Sequence, residues 1–216
     1  MLIQTDFRQQ AHPSRADGFV VSALLAHARP CAVTLYAENS VIYAQGDAAG
    51  PLYLVEFGAV RLCRLTADGR RQISAFHFAG EVFGFEFDAE HHHFAESVDS
   101  AGIRLLRRAV DDHLAESVLP LALRNLSRAQ DHLLVLGRQN ATEKIAAFLL
   151  DLAERQDADT LLSLPMQRTD IADYLGLTFE TVSRILRKLK DARIIQLPTI
   201  KQVEVINLPA LERLCG

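Results

Sequence analysis

Residues 169–190, TDIADYLGLTFETVSRILRKLK, admit very few folds. They read as two short helices joined by a tight turn. Thr169 can cap a first helix in which Ile171, Ala172 and Leu175 share one face. Gly176 suits the left-handed residue that ends such a helix, and Leu177 can plug the corner. Thr178 is a good N-cap for a second helix, and Glu180 in its first turn suits the helix dipole. Val182, Ile185, Leu186 and Leu189 form an inward stripe. Glu180, Thr181, Ser183, Arg184, Arg187 and Lys188 are left on the opposite face. Within 180–193, Arg184, Arg187, Lys188, Lys190 and Arg193 outweigh Glu180 and Asp191. This is the layout of a helix-turn-helix whose second helix enters the DNA major groove. An ordinary solvated amphipathic helix explains the charges but not the cap, the glycine turn and the polar first turn together.

The C-terminal residues suit a winged variant. Ile194–Leu197 and Val203–Asn207 are β-rich runs joined by Pro198–Gln202, with Lys201 near the tip. Lys201 can touch phosphate, which would position the domain without specifying sequence; an ordinary exposed lysine fits equally well. Leu208–Cys215 suits a short final helix.

The first half has a different texture. Leu52–Val55, Ala59–Leu65, Gln72–Phe78 and Ile103–Leu106 read as strands punctuated by glycines, with a hairpin signal at Asp68–Gly69. Closely spaced strands with glycine turns suggest a sandwich or jelly roll. Between the halves, Ala109–Gly137 has no internal glycine. Pro120 is expected near a helix start or a kink. Leu119, Leu123, Leu126, Gln130, Leu133 and Gly137 recur with heptad spacing, a seam for a second helix. Leu134 and Leu136 widen the stripe toward the β-rich half. Arg138–Ala141 is the expected hinge. Thr142–Glu154 reads as a further helix with Ile145, Ala146, Phe148, Leu149 and Leu152 inward, and Asp157–Thr160 as a polar loop.

A chain of 216 residues with 49% hydrophobic and 23% charged residues can bury a sizeable core. Its net charge of −4 conflicts with DNA binding only if charge is averaged. Phosphate contacts need a local basic patch, and the second helix supplies one. No apolar run reaches membrane-spanning length. The opening MLIQTDFRQQAHPSR lacks the pattern of a secretory signal and reads as a loose extension. Cys31, Cys63 and Cys215 are scattered without a CxxC, which points to a reducing cytoplasm rather than a disulfide framework.

The motifs resemble one family. L-G-L-T-x-E-T-V-S-R-x-L at 175–186 looks like the recognition helix of the CRP/FNR superfamily of bacterial transcription regulators. Serine before the arginine is similar to the FixK and FNR branches. The CRP branch usually has glycine there and an arginine before the glutamate, where this chain has Phe179. Y-x-x-G-D at 43–47, L-Y-L-V-x-x-G-x-V-R-L at 52–62, D-G-R at 68–70 and G-E-V-F-G at 80–84 resemble the cyclic-nucleotide-binding β-roll of that superfamily. The implied fold class is α+β: an N-terminal antiparallel β-roll, a long dimerisation helix and a C-terminal winged helix-turn-helix. The implied division is 1–18 extension, 19–110 β-roll, 111–138 dimerisation helix and 139–216 DNA-binding domain.

The resemblance assigns base reading to Glu180, Ser183 and Arg184. Arginine matches guanine O6 and N7, glutamate accepts from the cytosine amino group, and serine serves either role. Glu180 and Arg184, four apart, suit a mutual ion pair. Thr169, Thr178, Phe179, Thr181, Arg187, Lys188 and Lys201 are expected at or near the DNA backbone. The dimer interface is expected at Leu119, Leu123, Leu126, Gln130, Leu133 and Gly137. The implied partners are a TTGA-type inverted repeat in double-stranded DNA, RNA polymerase and a second copy of the chain. The implied role is activation in low-oxygen or nitrogen-related metabolism.

The sensing end lacks ligand signals. Cyclic-AMP binders place an arginine beside a serine or threonine shortly after the G-E-x-x-G turn. Here Glu90–Ser97 holds no arginine, and Glu96 would repel phosphate. Three scattered cysteines fall short of an iron–sulfur ligand set. No cofactor and no metal are expected. His91 and His93 would share a strand face, with His77 or His113 as a further ligand, so a jelly-roll metalloprotein is the alternative of another class. No acid–base or nucleophile constellation suggests an enzyme.

Overall fold

A computed structural model describes residues 31–67, 69–106, 113–138 and 140–215. Eight strands come first: β1 Val33–Tyr36, β2 Val41–Tyr43, β3 Leu52–Phe57, β4 Ala59–Leu65, β5 Arg71–Phe78, β6 Val82–Phe83, β7 Phe94–Ser97 and β8 Ala101–Leu106. They pair in a nested order, β1 with β8, β2 with β7, β3 with β6 and β4 with β5, all antiparallel. The further β3–β8 and β4–β7 pairs complete two four-stranded sheets. Tyr43, Val60 and Ala95 of one sheet and Tyr53, Val55, Phe83 and Ile103 of the other share one core, as in a jelly roll. The expected strands at Ala59 and Leu52 stand. β1, β2, β6 and β7 leave no clear sequence signal because each is only two to four residues long, too short for alternation to register.

Gly84, which ends the G-E-V-F-G turn, has φ +90°, and a Cβ there would lie 2.7 Å from Tyr53 Cδ2. Only glycine meets both demands. The three histidines do not lie on a strand, as the metal reading required: β7 begins at Phe94. His91 is buried, its ring stacked on Tyr43 at 3.6 Å and its Nδ1 3.3 Å from Glu86 Oε1. His92 instead pairs with Asp88 at 2.9 Å.

Helix α1 spans His113–Gly137 and contains Pro120 in its interior rather than at its start. Its expected seam is bare. Leu119, Leu123, Leu126 and Leu133 are 54–65% exposed, and Gln130 and Gly137 are exposed too. A second stripe, three or four apart and offset from the first, faces the chain itself. Val118 and Leu121 pack on Leu54, Val82 and Leu106. Asn125 donates to Val82 O at 3.2 Å, and His132 stacks on Tyr174 at 3.8 Å. This inward stripe is partly polar, so hydrophobic spacing does not reveal it. Leu134 does not turn toward the β-roll as expected; it is 71% exposed.

Helix α2, Ala141–Gln156, is capped by Asn140, which accepts from Thr142 N at 2.9 Å. Ile145, Ala146, Phe148, Leu149 and Leu152 are buried, as their spacing predicts. Three strands, β9 Leu161–Ser163, β10 Ile195–Thr199 and β11 Gln202–Val205, form a small antiparallel sheet in the order β9-β11-β10. The hairpin is tighter than expected, leaving only Ile200 and Lys201 as its turn. β9 is a three-residue addition to the expected wing. The final helix, α5, is Leu208–Arg213.

Candidate nucleic-acid interface

Helices α3, Arg168–Leu175, and α4, Phe179–Asp191, form the helix-turn-helix. Ile171, Ala172 and Leu175 are buried on α3, and Val182, Ile185, Leu186 and Leu189 on α4. Gly176 takes the left-handed conformation at φ +63°, its amide closing on Ala172 O. Leu177 packs against the same core. The cap of α3 differs from expectation. Gln167 precedes the helix and its amide donates to Asp170 Oδ2 at 3.3 Å, while Thr169 is the second helical residue and exposed. On α4 the expected cap holds: Thr178 Oγ1 accepts from Thr181 N at 3.3 Å.

The opposite face of α4 is open. Glu180, Arg184, Arg187 and Lys188 are exposed, as are Thr178 and Phe179, and Thr181 and Ser183 are partly so. Lys201 is exposed at the hairpin turn. Hydrogen bonds from its own amide and from Thr178 hold the Glu180 carboxyl below its ordinary value. Glu180 and Arg184 do not form the expected mutual pair among the described ion pairs. Both therefore remain open to a further donor or acceptor. Lys188 and Lys190 sit in the last turn, where the helix dipole favours cations.

Ion pairs that the sequence does not reveal tie this unit to the β-roll. Arg61, on β4, is buried and donates to Glu96 at 2.8 Å, Asn39 at 3.0 Å and Asp170 at 3.1 Å. Arg71, on β5, reaches Asp170 at 2.5 Å and Asp173 at 2.9 Å. Glu81, from the G-E-V-F-G turn, is buried between Arg155 of α2 at 2.7 Å and Arg128 of α1 at 2.9 Å. Burial pushes the Glu81 carboxyl up, but the two guanidiniums more than reverse this and hold it at about 2. Apolar contacts continue across the same junction, with Phe76 of β5 and Tyr174 of α3 5.1 Å apart. Four arginines and four acids at distant positions carry no local signal. Only an arginine embedded in the apolar run Val60–Leu62 hints at a buried partner.

Comparison with known proteins agrees with this geometry. Residues 143–214 match the Crp-like helix-turn-helix domain, and residues 33–98 the cyclic nucleotide-binding domain. The chain is 48% identical over 187 residues to the nitrogen fixation regulation protein FixK of Rhizobium meliloti (strain 1021), covering 87% of this chain and 89% of that protein. It is 41% identical to the FixK protein of Azorhizobium caulinodans over 83% of this chain and 77% of that one. The structure of FixK2 from Bradyrhizobium japonicum superposes with a TM-score of 0.81 at 37% identity, covering 87% of this chain and 98% of that one. With a jelly roll, a long helix and a helix-turn-helix in that order, the chain belongs to the FixK branch of the CRP/FNR family and is a DNA-binding transcription regulator.

Proposed function

We propose that the chain acts as a cytoplasmic homodimer that reads TTGA-type inverted repeats and activates transcription by contacting RNA polymerase, with no catalytic role. Glu180, Ser183 and Arg184 read base edges; Thr169, Thr178, Phe179, Thr181, Arg187, Lys188 and Lys201 lie at or near the backbone. The observation that carries this reading is the open polar face of α4, which leaves the Glu180 and Arg184 side chains exposed and unpaired with each other. The dimer is supported by the bare leucine row of α1, since four leucines 54–65% exposed on one helix face require cover. Two copies joined along α1 would present two recognition helices to half-sites about 34 Å apart. In this reading residues 19–110 form the β-roll unit, 111–138 the dimerisation helix and 139–216 the DNA-binding unit, with 1–18 as an extension. The relatives named for nitrogen fixation regulation suggest a role in nitrogen-related or low-oxygen metabolism.

The test is a mobility shift on a duplex carrying a TTGA inverted repeat, compared with a scrambled duplex across a salt series. Preferential, strongly salt-dependent binding is expected. Equal binding to both duplexes would remove the base-reading assignment.

A further inference from the structure

We propose that Arg168 is a positioning residue that decides what Ser183 presents to a base edge. The proposal rests on the base-reading role given to Ser183 above. Arg168 opens α3, and its Nη1 donates to Ser183 Oγ across the helix pair at 3.4 Å. Among the described residues this is its hydrogen-bond partner. A serine inside a helix can turn its hydroxyl back to the carbonyl four residues earlier; here Oγ is engaged from the side by Arg168 instead.

A hydroxyl has one hydrogen to donate and two lone pairs to accept with. The guanidinium N–H fills one lone pair. Its positive charge also turns the hydroxyl hydrogen away, toward the open face of α4. Ser183 is thereby biased toward donating, with one lone pair left. In the major groove a donor matches the acceptors thymine O4, guanine O6 and N7, and adenine N7, and is mismatched to the amino groups of cytosine and adenine. Arg168 thus tilts a serine that would serve either role toward one chemical class of base edge, an acceptor. An arginine is suited to this task because its planar fork holds direction better than a lysine.

The experiment measures binding by fluorescence anisotropy to half-site duplexes substituted one base pair at a time. The unaltered protein is compared with Ser183→Ala, Arg168→Met, Arg168→Lys and the double variant Arg168→Met/Ser183→Ala. Circular dichroism and thermal melts report the fold of each. Ser183→Ala identifies the base pair that Ser183 reads. Arg168→Met should flatten preference at that same pair by about fivefold or more, and leave preference at the pair read by Arg184 intact. The double variant should lose nothing more there, and Arg168→Lys, which keeps the charge but not the fork, should recover part of the preference. If Arg168→Met weakens every duplex equally and lowers the salt slope by about one, Arg168 is a phosphate contact and the proposal falls alone. A lack of base preference in the unaltered protein overturns both this proposal and the base-reading assignment.

Discussion

Arg61 Nη1 lies 3.1 Å from Asp170 Oδ2, a buried ion pair between a β-roll strand and the first helix of the helix-turn-helix. The same carboxylate accepts from Arg71 and from the Gln167 amide that begins α3. One side chain therefore both starts that helix and fastens it to the sheet.

Asp170→Asn should be severely destabilising. It takes the shared carboxylate from Arg61 and Arg71 and leaves Arg61 with Glu96 as its acidic partner, and breaking one side of such a buried pair costs up to about 3–5 kcal/mol. Urea denaturation checks this. In a double-mutant cycle, Arg61→Met together with Asp170→Asn should cost clearly less than the two separate losses added.

Leu126→Asp with Leu133→Asp should yield monomers that bind operator poorly. Both leucines lie on the bare face of α1, 54% and 65% exposed, so neither change disturbs the packing of the chain on itself. Sedimentation velocity reads the outcome, and a dimer that survived both charges would refute the seam.

Arg184→Ala should cost roughly 1–3 kcal/mol of preference for the consensus duplex over a scrambled one. Arg184 is exposed and belongs to no buried cluster, so its melting temperature should hardly move. A uniform loss on both duplexes would exclude base reading by this residue.

Acid should destabilise the protein through two buried histidines. Burial pushes His77 and His132 down to about 4 from the ordinary 6.5. Both are held neutral in the fold, and the unfolded chain takes up the proton first. Their contribution is therefore present above about pH 6.5 and lost as pH falls toward 4. His132→Phe keeps the stack on Tyr174 but removes the titration. Its melting temperature should fall less between pH 7 and pH 5, by roughly 2–4 °C. Parallel melting curves for the two proteins would contradict the assignment.

The helix-turn-helix is legible in the sequence because its signals are local. The Thr178 cap, the left-handed Gly176 and the Val182–Leu189 stripe depend on neighbours within four residues. The long strands β3, β4 and β5 are legible for the same reason, and so is the outward row of α1. Thr169 is not the cap its position suggests, because the cap of α3 comes from Gln167 with Asp170. Asp170 also answers to Arg61 and Arg71, about a hundred residues earlier.

The amino-acid pattern thus decided the class of protein: periodic apolar residues, turn glycines and a basic polar helix face define its elements and its DNA-facing end. Tertiary structure alone decided how that end is held. Coulombic pairing acts between side chains that meet in space regardless of separation along the chain, so Arg61–Asp170, Arg71–Asp173 and Glu81–Arg155 leave no periodic trace. The same reason hid Arg168. Its contact with Ser183 crosses from one helix to the next and exists only once Gly176 has turned the chain.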